Sequence, residues 1–185
     1  MNDAVLDPQT AAAEGQRLFA QKQYQAAAER FSQAQRAYAE AGDELKAAEM
    51  LNNVGIVYRR ARKHKAAVSA LEEARQVFAR LGDQPREAQV LGNLGGLYSK
   101  MKRYAEAEAC FQDAAKLFQE LDDWGRQAET LRAMAIMQFK WGRRSKALVT
   151  YEDALYYLPN PNVLQRLTRL LLKMRGLILR LSPFR

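Results

Sequence analysis

Asparagines and basic residues recur in this chain at an interval of forty residues, and their chemistry suits hydrogen bonding to polar or anionic groups. Asn53 and Asn93 share one register, and Arg60, Lys100 and Lys140 share another, seven residues further along. An asparagine amide both donates and accepts hydrogen bonds, as a peptide group does. Seven residues are two helical turns, so on a helix the cations return to nearly the same face as the amides. Such a face favours a partner that carries carboxylates.

Both registers also have a structural explanation, which the sequence leaves open. An exposed asparagine can satisfy a neighbouring helix, and a cation near a helix C-terminus complements the helix dipole by about 0.3 to 1 kcal/mol. Arg59 and Arg132 can join the basic register, and Asn52 adjoins Asn53. The predicted binding residues are Asn52, Asn53, Arg59, Arg60, Asn93, Lys100, Arg132 and Lys140.

Apolar residues follow the same interval, which indicates a repeat array. Two registers hold an alanine in every repeat: Ala27, Ala67, Ala107 and Ala147, then Ala34, Ala74, Ala114 and Ala154. Within each repeat the apolar residues stand three, four and seven apart, which is helical spacing, and no segment shows sustained two-residue alternation. The pattern predicts four stacked repeats of two helices each.

Turn residues mark where the predicted helices end. Gly42 and Gly82 each precede an aspartate, which suits a left-handed helix stop followed by an N-cap. The predicted repeats span residues 8–42, 43–82, 83–122 and 123–160, within one domain of residues 1–162. Residues 163–185 are predicted to form a separate basic amphipathic helix and tail.

The third repeat carries the fullest family pattern. Its residues are Leu91 to Gly95, Tyr98, Tyr104, Ala107, Phe111 and Ala114. This pattern resembles the tetratricopeptide repeat, whose usual unit is about 34 residues. The longer unit seen here is similar to the repeats of kinesin light chains and of the mitotic-spindle adaptors that bind G-protein subunits. The resemblance covers residues 8–158.

The resemblance implies an all-α fold, a right-handed α-α superhelix in which the first helix of each repeat lines a concave groove. In the long-repeat adaptors, asparagines at the positions of Asn53 and Asn93 hold the backbone of an extended peptide. The implied function is a scaffold or adaptor that binds an extended or helical, acidic segment of another protein.

Residues that could support catalysis are scarce. His64 is the only histidine and occupies the register of Tyr24 and Tyr104, which favours a structural or solvent-facing role. Cys110 adjoins Phe111 inside a predicted helix and is interpreted as a small buried hydrophobe. The glycines of residues 92–96 lie inside a helix without a preceding strand, so close helix packing explains them better than a phosphate loop. We predict no enzyme activity, no metal site and no cofactor.

Composition fits a single helical domain. The chain has 185 residues, 48% of them hydrophobic, and five prolines. A lone cysteine cannot form an internal disulfide, and residues 1–10 lack the apolar core of a secretory signal. Together these features predict a reducing, cytoplasmic setting.

Basic residues also cluster in the turns within repeats, while acids cluster at the joints between them. The basic residues are Arg62, Lys63, Lys65, Lys102, Arg103, Arg143, Arg144 and Lys146. Nucleic-acid phosphates could bind such an edge. No aromatic residues interleave with these cations, so solvated turns are the favoured interpretation and a nucleic-acid partner is not predicted.

The last segment of the chain is basic and apolar. Residues 154–185 carry six cations without one acid, and leucines from residue 164 onward repeat at spacings of three and four. A helix that caps the last repeat explains this seam. Capping does not account for the leucines outside the seam. These leucines could dock on an anionic membrane or in a partner's groove, or support self-association, so that the segment acts as a membrane-surface or assembly module. The predicted docking residues are Arg166, Arg169, Leu172, Lys173, Leu179 and Arg180.

Overall fold

The computed structural model describes residues 7–159, 166–168 and 170. Between residues 7 and 159 it contains α1 (Pro8–Ala20), α2 (Tyr24–Glu40), α3 (Glu44–Arg60), α4 (His64–Leu81), α5 (Gln84–Lys100), α6 (Tyr104–Glu120), α7 (Trp124–Lys140) and α8 (Arg144–Tyr157). None of the described residues is in a strand, so the all-α prediction is confirmed. The chain divides between Arg103 and Tyr104 into two compact units, which we call the N-terminal and C-terminal parts.

Consecutive helices pack as antiparallel hairpins within each part. In the N-terminal part α1 pairs with α2 and α3 with α4, while α3 packs back on α2 and α5 on α4. In the C-terminal part α7 packs on α6 and pairs with α8. The alanines of the sequence registers are all buried, and Ala27, Ala67 and Ala107 are fully buried. Small residues at these positions let neighbouring helices approach closely.

Helix ends are fixed by side-chain caps and by left-handed residues. Asp43, Asp83 and Asp123 each accept a hydrogen bond from the backbone N–H three residues on, as N-caps. Gly42 and Gly82 have positive φ values of 75° and 70°, as the sequence predicted for helix stops. The turns within repeats reverse through another left-handed position, filled by Lys22, Arg62, Lys102 and Gly142.

Two glycines of the predicted repeat pattern are required by close contacts inside hairpins. A Cβ at Gly55 would lie 2.6 Å from Leu71 Cγ, and one at Gly15 would lie 3.0 Å from the Phe31 ring. Gly92 differs, because a Cβ there would meet nothing within 4 Å. The prediction that close packing explains all the glycines of residues 92–96 is therefore wrong for Gly92, which faces open space on α5.

A paired substitution tests this difference between glycines. We expect Gly55→Ala to lower the free energy of unfolding by about 1 to 3 kcal/mol, because the added methyl group overpacks against Leu71. Gly92→Ala adds the same methyl group without a contact and is expected to raise stability by about 0.5 to 1 kcal/mol, since alanine is the better helix former. Urea denaturation of both variants measures the two changes, and equal effects would contradict the packing role of Gly55.

A buried carboxylate links α6, α7 and the start of α8 in the C-terminal part. Glu108 on α6 is 9% exposed and accepts a hydrogen bond from Gln138 Nε2 at 2.6 Å. Its other oxygen lies 3.2 Å from Arg143 and 3.1 Å from Lys146. Burial alone would raise the pKa of Glu108, but the bond from Gln138 and the charges of Lys146 and Arg143 outweigh it and hold the pKa below its ordinary value. Glu108 therefore stabilises the fold as an anion.

Because this pKa is lowered, part of the free energy of unfolding depends on pH. The contribution is complete above the unfolded pKa of a glutamate, about 4.3, and is lost as the pH falls through the lower pKa of the folded state. We expect Glu108→Gln to cost about 1 to 3 kcal/mol at pH 7 and to differ less from the unchanged chain at pH 3. Urea denaturation between these pH values is the measurement, with exposed Glu120→Gln as the matched control; a difference that does not narrow in acid would contradict this role.

Most of the predicted C-terminal docking residues lie outside the described residues. These are Arg169, Leu172, Lys173, Leu179 and Arg180. Arg166 is described and exposed, and Leu167, a member of the predicted seam, is 52% exposed. Across the described part of the chain, no helix combines the length and apolar character needed to cross a bilayer.

Candidate peptide-binding surface

Three amides and one guanidinium meet where α3 and α5 face each other in the N-terminal part. Asn93 Nδ2 donates to Asn52 Oδ1 at 3.3 Å, and an Arg59 guanidinium N–H donates to Asn93 Oδ1 at 3.4 Å. Asn53 is half-buried beside them and makes no side-chain hydrogen bond within the described residues. We call these four residues, Asn52, Asn53, Arg59 and Asn93, the amide surface.

The amide surface continues into a polar cavity of about 240 Å³. Its lining residues are Gln16, Glu49, Met50, Asn52, Asn53, Phe78, Arg86, Gln89 and Val90. All but Phe78 belong to α1, α3 and α5, which are the first helices of three successive repeats. An extended chain laid across these helices would therefore meet a mixture of amides, charges and short apolar patches.

The two arginines of this region differ in their electrostatic partners. Arg86 is held by Glu49 at 2.7 Å and by Asp83 at 2.6 Å. Arg59 is half-buried, and its only side-chain hydrogen bond among the described residues goes to the neutral amide of Asn93. Burial lowers the pKa of Arg59, and the adjacent charge of Arg60 lowers it further. The Arg59 guanidinium thus has been taken partly out of water without a counter-charge.

The remaining predicted cations are exposed on helix surfaces. Arg60 and Lys100 lie in the last turns of α3 and α5, where they also complement the helix dipoles. Arg132 and Lys140 are exposed on α7 of the C-terminal part. Of the predicted cations, only Arg59 forms a hydrogen bond with the asparagines of the amide surface among the described residues.

Several cavity residues were not among those predicted from the sequence. Glu49 and Gln89 stand four residues before Asn53 and Asn93, one helical turn away on the same face. That spacing was available in the sequence and would have found both. Arg86 stands two helical turns before Asn93 and shares a forty-residue register with Lys46 and Arg126, so it could have been found in the same way. Gln16 carries no comparable signal.

Two family models match residues of the second, third and fourth repeats. Both describe the tetratricopeptide repeat; one matches residues 47–81 and the other residues 86–156, together more than half of the chain. The chain belongs to the tetratricopeptide repeat family. Tetratricopeptide repeat proteins are generally non-enzymatic scaffolds that bind other proteins, and the sequence prediction of the family is confirmed.

Solved structures with the same fold include both bacterial and fungal proteins. BtubC (BKLC) from P. vanneervenii is 24% identical with a TM-score of 0.74, over 84% of this chain and 67% of that one. Kinesin light chain TPR-like repeats from Podospora anserina are 15% identical with a TM-score of 0.68, over 81% and 74%. At such identities the likeness establishes the fold of this tetratricopeptide repeat protein.

Aspartyl phosphate phosphatase F from Bacillus subtilis is a third tetratricopeptide-like structure of this kind. It is 15% identical with a TM-score of 0.76, over 85% of this chain. The match spans only 41% of the phosphatase, so this chain covers less than half of that protein's length. No curated protein matches the sequence.

Proposed function

We propose that this protein is a non-catalytic scaffold whose amide surface binds an extended or helical, acidic segment of a partner protein. The observation that supports this most is the half-buried Arg59, which lacks a carboxylate partner among the described residues. A partly buried charge without a counter-charge is costly to a fold, and a carboxylate supplied by a partner would offset that cost. A carboxylate can accept two parallel hydrogen bonds from one guanidinium, which gives orientation as well as affinity.

The asparagines supply the contacts to the partner's backbone. Asn53 has a free donor and a free acceptor, and the Nδ2 group of Asn52 donates to no described residue. These groups match the C=O and N–H of a peptide unit. Backbone contacts of this kind bind many sequences, so Arg59 is left to select those that carry an acid.

Exposed cations contribute to the rate of encounter. Arg60 and Lys100 lie at the ends of the two helices that carry the amide surface. Solvent-exposed charges add little affinity, but they steer an acidic partner and make association dependent on ionic strength. We therefore assign the specificity of binding to Arg59 and only its speed to Arg60 and Lys100.

The absence of catalysis belongs to the same proposal. Among the described residues, no group of histidine, cysteine and acidic side chains has the arrangement of a metal site. His64 begins α4 and Cys110 lies within α6, so they occupy different parts of the chain. Neither side chain lines the cavity beside the amide surface.

Arg59→Gln tests the selection of acidic partners. We expect it to weaken binding of acidic nonapeptides from a randomised library by roughly 10-fold or more, since a hydrogen bond to a charged group is worth about 1.5 to 3 kcal/mol. Binding of neutral library members should hardly change. Fluorescence anisotropy with labelled peptides measures both, and Arg62→Gln is the matched control, because it removes an exposed arginine three residues away.

A second variant separates backbone binding from charge selection. The single substitution Asn53→Ala removes an amide that makes no bond to Arg59, Asn52 or Asn93, and it should weaken acidic and neutral peptides alike. If the library shows no preference for acids and Arg59→Gln behaves like Arg62→Gln, the amide surface does not bind acidic segments. Circular dichroism of each variant checks that the helices remain folded.

A further inference from the structure

A second cavity is lined entirely by residues of the C-terminal part. It has a volume of about 310 Å³, is lined by residues of α6, α7 and α8, and is open to solvent. Its lining residues are Gln112, Ala115, Lys116, Gln119, Gln127, Leu131, Met134, Asp153 and Tyr157. We call it the glutamine cavity. This volume is at the small end of ligand pockets, which suits one side chain better than a large molecule.

One buried hydrogen-bond acceptor of the glutamine cavity, Gln127 Oε1, has no donor among the described residues. Gln127 is 3% exposed, and its Nε2 donates to Gln119 Oε1 at 3.5 Å. Its Oε1 is buried and accepts no hydrogen bond within the described residues. Asp153 is exposed at the edge of the cavity and forms no ion pair among the described residues; partial desolvation and the neighbouring charge of Glu152 raise its pKa. A cationic donor would satisfy both groups.

The preceding repeat shows which donor occupies the equivalent place. In the N-terminal part, Arg75 on α4 lies 3.1 Å from Glu72 and 3.9 Å from Glu87 on α5. Forty residues further along, these three positions are Ala115, Gln112 and Gln127. The chain therefore fills this place with its own guanidinium in one repeat and has an alanine there in the next. The oxygens of Gln112 and Gln127 keep the ability to accept from a guanidinium.

We propose that the glutamine cavity binds the guanidinium of an arginine from this chain's own basic segment, residues 160–185. That segment has five arginines, one lysine and no acid, and it follows α8 directly. Tyr157, in the last turn of α8, lines the cavity, so the segment departs from the cavity's edge. An extended chain spans about 3.3 Å per residue, so the length of the segment allows its arginines beyond Arg166 to reach the cavity.

Aromatic rings beside the cavity suit the same ligand. Tyr157 stacks on Trp124 with ring centroids 5.7 Å apart, and Trp124 is 40% exposed. A guanidinium is attracted to an aromatic face within about 6 Å. Among the described residues the C-terminal part has this contact three times, with Arg126 over Phe118 at 4.9 Å, Arg143 over Trp141 at 3.5 Å and Arg144 over Phe139 at 5.8 Å.

The test uses the full chain and two NMR signals at the cavity, the indole N–H of Trp124 and the side-chain amide of Gln127. We expect replacement of the five segment arginines by glutamine to shift both signals. Ala115→Arg, which copies Arg75 and fills the cavity from within, should remove the response to those replacements. Ala109→Arg is the matched control, because it adds the same charge at an exposed position of α6, and it should leave the response intact.

Two probes distinguish the source of the guanidinium. N-acetyl-arginine methylamide should return the signals of the five-glutamine variant towards their original positions, whereas the neutral citrulline analogue should not. If the arginine probe binds the unchanged chain and the variant equally, the segment does not occupy the cavity and an arginine of another protein is the ligand, which overturns the proposal. Signals that respond to neither the replacements nor the probe overturn it entirely and leave Gln127 satisfied by solvent.

Discussion

Close approach between paired helices is the constraint on which the rest of the structure depends. At the contact between Gly55 and Leu71 there is no room for a single methyl group, and the fully buried alanines of the neighbouring turns extend this contact along the hairpin. Dispersion and burial of apolar surface act here over short distances and many atoms. Because α3 is held so closely against α4, its other face is presented to α5 in a fixed register. The pairing of Asn52 with Asn93 follows from that register.

Repeated positions made most of the fold predictable. A residue that recurs every forty positions is seen several times, so the glycine and alanine registers identified the helix pairs and the joints from sequence alone. The aspartate caps and the left-handed glycines at the joints were equally predictable from the sequence, because only a few residue types fit those backbone positions. Gly92 shows the limit of such reasoning: its neighbours in the sequence resemble those of a packed glycine, but its face of α5 meets open space.

The candidate site was only partly predictable, since its contacts join residues that are far apart in sequence. The family pattern placed Asn53 and Asn93 on helices that line one surface. It could not show that Asn93 would bond to Asn52 and Arg59, because side-chain lengths and rotamers decide between neighbouring partners. Nor could it separate Arg86, which two carboxylates neutralise, from Arg59, which a neutral amide contacts. Both are simply arginines on a helix until the crossing of the helices is known.

The left-handed position in the turns within repeats determines how this protein could change in length. Lys22, Arg62, Lys102 and Gly142 reverse the chain at one residue, and the second helix of the repeat begins two residues later. One inserted residue in that helix would rotate everything after it by about 100° and carry its apolar stripe away from its partner. Single insertions and deletions are therefore selected against, whereas gain or loss of a whole forty-residue segment preserves the phase. The array therefore has the pattern expected of tandem duplication, and in evolution or in design it can lengthen only by whole repeats.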